Sequence, residues 1–206
     1  MASWYERHIL PHLISCCCGC GAVTDQRRKI LPRARGRVLE LGFGAGHNLA
    51  YYDPTQVSEV VGVEPSPELR AIAQRATRPA GLVVDLKDGI AEELPFPDAS
   101  FDTVVSTFTL CTVRDQPRAL AEARRVLKSG GRFCFAEHGS APDAGVARWQ
   151  RRLDPLWGKL FGGCHLTRPV SDAIGRQFAI ASVEKAYLKG MPRIASWVEV
   201  GEAVAA

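Results

Sequence analysis

A chain of 206 residues, 46% hydrophobic and 23% charged, is long enough for one α/β domain with a full core and too short for two comfortable ones. The net charge of +4 is modest, and the one basic triplet, Arg27-Arg28-Lys29, reads as a solvated helix face rather than a basic stripe interleaved with aromatics, so nucleic acid is not an expected partner. No window approaches the roughly 20 apolar residues that a membrane-spanning helix needs.

Trp4, Tyr5, Ile9, Leu13 and Ile14 recur at near-helical spacing, with Pro11 placed to kink or split the helix. Such a helix packs on the domain edge; the sharper readings are a lid over a binding site, or an amphipathic surface making weak contact with a membrane. Leu13-Ile14-Ser15-Cys16 superficially matches a lipoprotein cleavage box, but Glu6, Arg7, His8, Pro11 and His12 interrupt the apolar core that export would need. Seven cysteines, an odd number with Cys16, Cys17, Cys18 and Cys20 almost adjacent, make a poor disulfide framework, and the chain reads as reduced and cytoplasmic. Cys17 and Cys20 have C-x-x-C spacing without a second pair, so a turn flanked by Gly19 and Gly21 is expected there rather than a metal site. Thr24 is placed to cap a second helix running through Leu31 and stopped by Pro32.

The stretch from Arg37 to Asn48 organises the rest. Val38, Leu39 and Leu41 form a short apolar run of the buried parallel-strand kind. It ends in Gly42-Phe43-Gly44-Ala45-Gly46, where the backbone must turn tightly and let a ligand approach. A second run, Val60-Val61-Gly62-Val63, closes on Glu64, an acid placed for a ribose diol. A dinucleotide fingerprint would have its third glycine at His47, so NAD and FAD fit poorly. Glu40, two residues before the first glycine, can instead meet an ammonium group.

A short helix is expected over residues 48–52, ended by Asp53-Pro54, and Ser66-Pro67-Glu68 is a strong start for a helix to about Thr77. Strands follow at 82–84, 101–106 and 132–137, with a helix over 116–127 that Lys128-Ser129-Gly130-Gly131 stops. Cys111 and Cys134 fall in apolar runs and read as buried thiols. Residues 146–161 look helical, with Trp149, Leu153, Leu156, Trp157 and Leu160 apolar and Pro155 and Gly158 disturbing the pattern. A loop over 162–169, a helix over 170–178 and strands at 182–188 and 196–203 complete the chain.

E-L-G-F-G-A-G followed by V-V-G-V-E-P-S resembles the class I S-adenosylmethionine methyltransferases. Gly89 to Phe96 resembles that family's G-D-A-E-x-L-P-F segment, with Ile90 where the family has the aspartate that reaches the adenine amino group, and R-V-L-K-S-G-G-R-F resembles its R-V-L-x-P-G-G. Residues 36–138 are similar to the ubiquinone/menaquinone-type small-molecule enzymes. E-H-G near 137 and L-D-P-L-W…G-G-C-H-L-T-R near 153–168 resemble the methyltransferase-like thiol S-methyltransferases of animal membranes and their bacterial relatives. The animal proteins carry an N-terminal membrane anchor with no counterpart read here, so membrane association is not carried over.

The resemblance implies a doubly wound, Rossmann-like α/β sheet of seven strands, mostly parallel with one antiparallel strand and helices on both faces. It implies a single domain over 1–206, with a helical cap at 1–35, a cofactor core at 36–138 and an acceptor-covering segment with the last two strands at 139–206. S-adenosylmethionine is the implied cofactor, with no metal. Glu40 is expected at its amino group, Gly42, Phe43, Gly44, Gly46 and Asn48 along the loop, and Glu64, Pro65 and Ser66 at the ribose. Ile90 and Ala91 are expected at adenine and Thr107 and Phe108 beneath the methionine moiety. The favoured acceptor is the sulfur of a small, fairly apolar thiol, with a phospholipid amine or quinone carbon as alternatives, and a non-catalytic cofactor-binding scaffold as the alternative of another class. Tyr5, Cys111, Trp149 and His165 are candidates to line the acceptor pocket. Transfer from a sulfonium needs no enzyme nucleophile, so Cys164-His165 is not read as a nucleophilic pair. His138, at the carboxyl edge of the fifth strand, is either a base for the acceptor or a histidine that only orients Glu137 or a loop carbonyl.

Overall fold

A computed structural model describes residues 4–205, apart from the side chain of Glu6. The elements in chain order are α1 (Trp4–His8), α2 (Leu10–Cys18), α3 (Gly21–Ile30), β1 (Gly36–Leu41), β2 (Val57–Val63), α4 (Pro67–Ala73), β3 (Val83–Lys87), β4 (Phe101–Thr107), α5 (Gln116–Val126), β5 (Leu127–His138), α6 (Ala144–Leu160), α7 (Val170–Ile174), β6 (Ala179–Tyr187) and β7 (Trp197–Val204). They build one seven-stranded sheet in the order β3-β2-β1-β4-β5-β7-β6. β1 through β5 pair in parallel, and β7 is antiparallel to both β5 and β6, which is the doubly wound architecture expected. The strand order reverses between β1 and β4, so the loops leaving those two strands diverge and open a crevice at the carboxyl edge.

The period of two along each strand divides the core between the two faces. Leu39, Leu41, Val104, Phe133 and Phe135 point to one side, where Leu120, Ala123 and Val126 of α5 and Val170 and Ile174 of α7 cover them. Val38, Val60, Val105, Cys134 and Ala136 point to the other, under Val23 and Ile30 of α3. Burying each large side chain contributes about 1.5–3 kcal/mol, so the central strands hold the carboxyl-edge loops on a rigid base.

Local chemistry explains where several elements begin. Ser66 Oγ accepts the Leu69 N–H at 3.2 Å with Pro67 in the first turn of α4, and Asp115 Oδ1 accepts the Arg118 N–H at 3.0 Å to cap α5. Pro11 does not kink one long helix; it sits in the first turn of α2, where its missing N–H has no partner to lose, and the chain breaks into two helices around Ile9. Thr24 lies inside α3, which starts at Gly21, and its hydroxyl donates back to Gly19 O. The expected helix after the glycine loop is only a 3₁₀ turn, Leu49–Tyr51, and α4 and α7 end short of Thr77 and Phe178. β5 begins at Leu127, earlier than the glycines suggest: Gly130, at φ 71°, sits where the register with β4 shifts, so the chain bulges and continues as strand. α6 runs unbroken past Pro155, which stands on its exposed side.

Candidate active site

At the carboxyl edge of β1 the chain leaves the sheet through the glycine loop. Gly42 and Gly44 hold φ 60° and 56°, and a Cβ on Gly42 would lie 2.4 Å from Thr109 Cγ2, so both the conformation and the space require glycine there. The Gly44 N–H donates to Glu64 Oε2 at 2.9 Å, while Glu64 Oε1 accepts the Ser66 N–H at 2.9 Å. One carboxylate therefore ties the loop after β1 to the turn after β2. Burial raises Glu64 above the ordinary carboxyl range, against the pull of these two donors.

This loop, α2 and the turns after β2, β3 and β4 enclose a cavity of about 620 Å³, the size of a small-molecule site. Glu40, Gly42, Phe43, Gly44, Asn48, Glu64, Pro65, Ser66, Ile90, Ala91, Thr107 and Phe108 all line it. Gly46 does not. It packs on the end of α4, where a Cβ would lie 3.0 Å from Ala76 Cβ, and serves close loop–helix contact instead.

Beneath the loop lies a buried polar chain. Glu40, 1% exposed, accepts Asn48 Nδ2 at 2.8 Å and the Tyr52 hydroxyl at 2.7 Å. Asn48 Nδ2 also donates to Thr107 Oγ1 at 2.9 Å, and Asn48 Oδ1 accepts Arg27 Nε at 2.8 Å. Burial pushes Glu40 up to about 7, opposed by the Tyr52 and Asn48 hydrogen bonds and the Arg27 charge. Arg27 corrects the reading of the basic triplet as solvated. Arg28 and Lys29 are exposed and pair with Asp25 and Glu184, but Arg27 is 3% exposed and lines the cavity. Val23, Arg27 and Ile30 form one buried helical face, a spacing visible in the sequence, and a buried cation on it is kept only where acceptors await it.

α2 covers the cavity with Leu10, Pro11, Ile14, Ser15 and Cys18, and His47 Nε2, 3.0 Å from Ser15 O, joins this cover to the glycine loop. Across the cavity, Ile90 and Ala91 present an apolar surface where the resemblance leads one to expect a carboxylate. Phe108 holds φ 54°, a left-handed conformation rare for an aromatic residue, with its N–H fixed on Ala136 O at 2.9 Å. Its ring lies between the Arg27 guanidinium, 5.7 Å from the centroid, and the His138 ring, at 6.4 Å.

Comparison with known proteins decides what this cradle serves. Residues 39–135 match the model of a methyltransferase domain. The chain is 33% identical over 183 residues to the human thiol S-methyltransferase TMT1B, covering 84% of this chain and 71% of that protein. The chain belongs to the S-adenosylmethionine-dependent methyltransferases. It is also 35% identical over 173 residues to human TMT1A, covering 81% of this chain and 67% of the relative, and so spans about two thirds of the length of these curated relatives. Among solved structures, an S-adenosylmethionine-dependent methyltransferase from Thermotoga maritima shares the fold at a TM-score of 0.62 and 24% identity, covering 98% of this chain and 94% of that one. The [4+2]-cyclase SpnF shares it at 0.69 and 21%, covering 88% and 79%. The cofactor of this methyltransferase is S-adenosylmethionine, and the positive-φ glycine cradle with carboxylates at either end fits it.

Beyond Phe108 the methyltransferase gathers residues that the sequence keeps far apart. His138 does not line the cavity; its Nε2 lies 3.0 Å from Cys164 Sγ, so that nitrogen is not turned toward an acceptor as a base would be. Nor does it orient Glu137, whose buried carboxylate accepts Ser106 Oγ at 2.7 Å, Thr109 N at 3.0 Å and Leu110 N at 3.1 Å and so clamps the loop after β4. Cys164 Sγ also receives Trp157 Nε1–H at 3.4 Å. Hydrogen bonds from Cys111 and then His138 hold the Cys164 thiol below its ordinary range against burial, and the same Cys164 contact, with burial, raises Cys111. For His138 burial acts downward, but the Cys164 contact outweighs it and raises the imidazole.

The other acceptor candidates are not brought to the cavity. His165 Nδ1 pairs with Asp154 Oδ2 at 2.8 Å, and the Tyr5 hydroxyl donates to Leu160 O at 2.7 Å, which ties α1 to the end of α6. Trp149 is 55% exposed under the Arg152 guanidinium, because α6 turns that face outward. Cys111 is buried just behind the wall, between Phe108 and Thr112, which line it. Among the described residues no helix is long and apolar enough to cross a membrane.

Proposed function

We propose that this methyltransferase methylates the sulfur of a small, fairly apolar thiol. The observation that carries this reading is the make-up of the cavity: the hydrogen-bonded charges of Arg27, Glu40 and Glu64 line it at the glycine loop, while Leu10, Pro11, Ile14, Phe108, Val113 and Gly162 give it an apolar stretch of wall. A pocket whose lining imidazole, His47, is engaged by Ser15 O, and behind whose wall His138 is engaged by Cys164, suits an acceptor that ionises with little help. A thiol titrates near 8.5, a phenolic hydroxyl near 10, so a quinol needs a firmer base than a thiol does. The resemblance of residues 153–168 to thiol S-methyltransferases, and the TMT1A and TMT1B relatives, support the same choice.

In this reading Glu40 faces the ammonium of the cofactor's methionine moiety and Arg27 its carboxylate, two opposite charges set in one hydrogen-bonded chain through Asn48. Glu64 takes the ribose diol, and Ile90 and Ala91 pack on the adenine, whose edge is left to backbone groups. The cofactor supplies an electrophilic methyl group on a sulfonium. α2 excludes water and Phe108 fixes the floor, so proximity and a dry site supply most of the rate. A screen with labelled cofactor tests this: alkyl and aryl thiols should take up label, whereas transfer to quinols or lipid amines with none to any thiol would reject the sulfur assignment. Those two acceptor classes belong to relatives such as a demethylmenaquinone methyltransferase of Thermus thermophilus and a phosphatidylethanolamine N-methyltransferase of Cereibacter sphaeroides.

A further inference from the structure

Three side chains that the cofactor cradle does not use meet one residue layer behind the cavity wall. Cys111 comes from the loop after β4, His138 ends β5, and Cys164 lies in the loop after α6. Their ligand atoms all lie within 4.8 Å of one another, and among the described residues this is the one group of three or more His, Cys, Asp or Glu side chains so placed. We infer that Cys111, His138 and Cys164 hold a zinc-type divalent cation whose open fourth position takes the acceptor's sulfur, the choice of sulfur resting on the thiol reading above.

The donor set selects the ion. Two thiolates and one imidazole suit zinc, and three protein ligands with one position open are the arrangement of reactive rather than structural zinc sites. Zinc bonds of about 2.3 Å to sulfur and 2.0–2.1 Å to nitrogen would place tetrahedral ligand atoms about 3.4–3.8 Å apart. His138 Nε2 and Cys164 Sγ, now 3.0 Å apart, need open by only a few tenths of an ångström. The three backbones are already fixed. Glu137 clamps Thr109 and Leu110 beside Cys111, and the His165 N–H donates to Cys111 O at 2.8 Å, which ties the two cysteine loops together. Trp157 Nε1–H, 3.4 Å from Cys164 Sγ, is the kind of outer donor that orients a metal thiolate. Phe108, which stacks on His138, lines the cavity together with Thr112, next to Cys111, and Gly162, two residues before Cys164, so the ion would stand at the cavity's edge with its open position toward the acceptor.

Such an ion supplies what the cavity wall lacks. A thiol that coordinates it gives up its proton to solvent, and the sulfur stays as a thiolate at neutral pH. That sulfur then forms the new bond to the methyl carbon as the carbon's bond to the sulfonium sulfur breaks, its electron pair remaining on the departing sulfur. Both products are neutral thioethers, weaker ligands than a thiolate, and one proton has been released.

Metal analysis of the full chain purified without chelator, followed by cobalt substitution, tests the site. About one zinc per chain is expected, with sulfur-to-cobalt charge-transfer bands after exchange that shift when an alkanethiol is added. Cys111→Ser and Cys164→Ser should each abolish stoichiometric metal, and Trp157→Phe should weaken zinc binding by about 10–100-fold, while Cys17→Ser leaves it unchanged. Retained binding of S-adenosylhomocysteine shows that each variant is folded. A folded wild-type chain with only trace metal and no cobalt bands would overturn the site, as would metal retained in both cysteine variants. Bands unmoved by thiol would overturn the open position. Thiol methylation by a metal-free chain would overturn the site yet leave the thiol reading standing, whereas bands that shift with thiol while no thiol is methylated would uphold the site and sink that reading.

Discussion

The two ends of the cavity are made by different means. At the cofactor end, the glycine loop, Glu40 and Asn48 lie within a dozen residues; Glu64 ties the loop after β1 to the turn after β2 through Gly44 and Ser66, and Glu40 gathers Asn48 and Tyr52 of the segment that follows its own strand. Past Phe108, Cys111 from the loop after β4, His138 at the end of β5 and Cys164 from the loop after α6 meet only because the sheet places those segments side by side. The cofactor end is thus a local motif that one residue can damage in full. The acceptor end is a tertiary assembly whose surroundings share the strain of any change.

The largest effect should come from Glu64→Ala, which removes the proposed ribose acceptor and strips Gly44 and Ser66 of a shared charged partner. If the carboxylate accepts both ribose hydroxyls as proposed, losing two charge-assisted hydrogen bonds to the ligand at about 1.5–3 kcal/mol each should weaken S-adenosylhomocysteine binding by at least about 100-fold in calorimetry. A loss below tenfold would mean that the loop holds its shape without this carboxylate. Next comes Arg27→Met, which keeps the apolar packing of α3 and deletes the buried cation; cofactor affinity should fall by about 10-fold or more, and Arg27→Lys should not restore it because Nε is the atom that binds Asn48. Full affinity in Arg27→Met would return the triplet to a merely structural role.

A smaller effect is expected from pH. Burial pushes Glu40 up to about 7, against Tyr52, Asn48 and Arg27, so lowering the pH through neutrality protonates it and removes the charge proposed to face the cofactor ammonium. Binding should weaken toward a limit of about tenfold per pH unit below that value. The stability of the ligand-free chain runs the other way. Because this carboxyl is held higher when folded than when unfolded, its contribution is fully present below the ordinary value of 4.5 and is lost as pH rises from there through about 7. Glu137, also pushed up to about 7 by burial, acts in the same direction, so the comparison must be made against Glu40→Gln, whose binding should be flat across neutral pH. An unchanged slope in that variant would assign the titration elsewhere. The smallest effect belongs to Trp149→Ala: an exposed ring under Arg152 should change stability by no more than about 0.5 kcal/mol and leave the acceptor's KM unaltered, and a raised KM would put α6 back in the acceptor pocket.

Short-range patterns made much of this protein legible. Short apolar runs marked the central strands, the spaced glycines marked the loop, and Ser66-Pro67-Glu68 marked a helix start, because each reports constraints that act within a few residues. Together with the family resemblance they named twelve of the residues that line the cavity. Arg27 was legible in principle, at the i+4 position between Val23 and Ile30, yet its neighbours Arg28 and Lys29 made it look solvated. Element ends were less so, since the bulge at Gly130 and the shortened turn at Leu49–Tyr51 answer to strand register and loop packing.

Which side chains meet beyond Phe108 was settled by tertiary structure alone. No spacing rule places His138 against Cys164, turns Trp149 outward or sets Asp154 on His165, because those outcomes depend on how α6 and its following loop dock on the sheet edge. Sequence by itself determined the sheet and the cofactor, whose determinants are contiguous, and the packing of distant segments determined which side chains meet behind Phe108, because side chains far apart along the chain acquire a common neighbourhood only when the core closes beneath them.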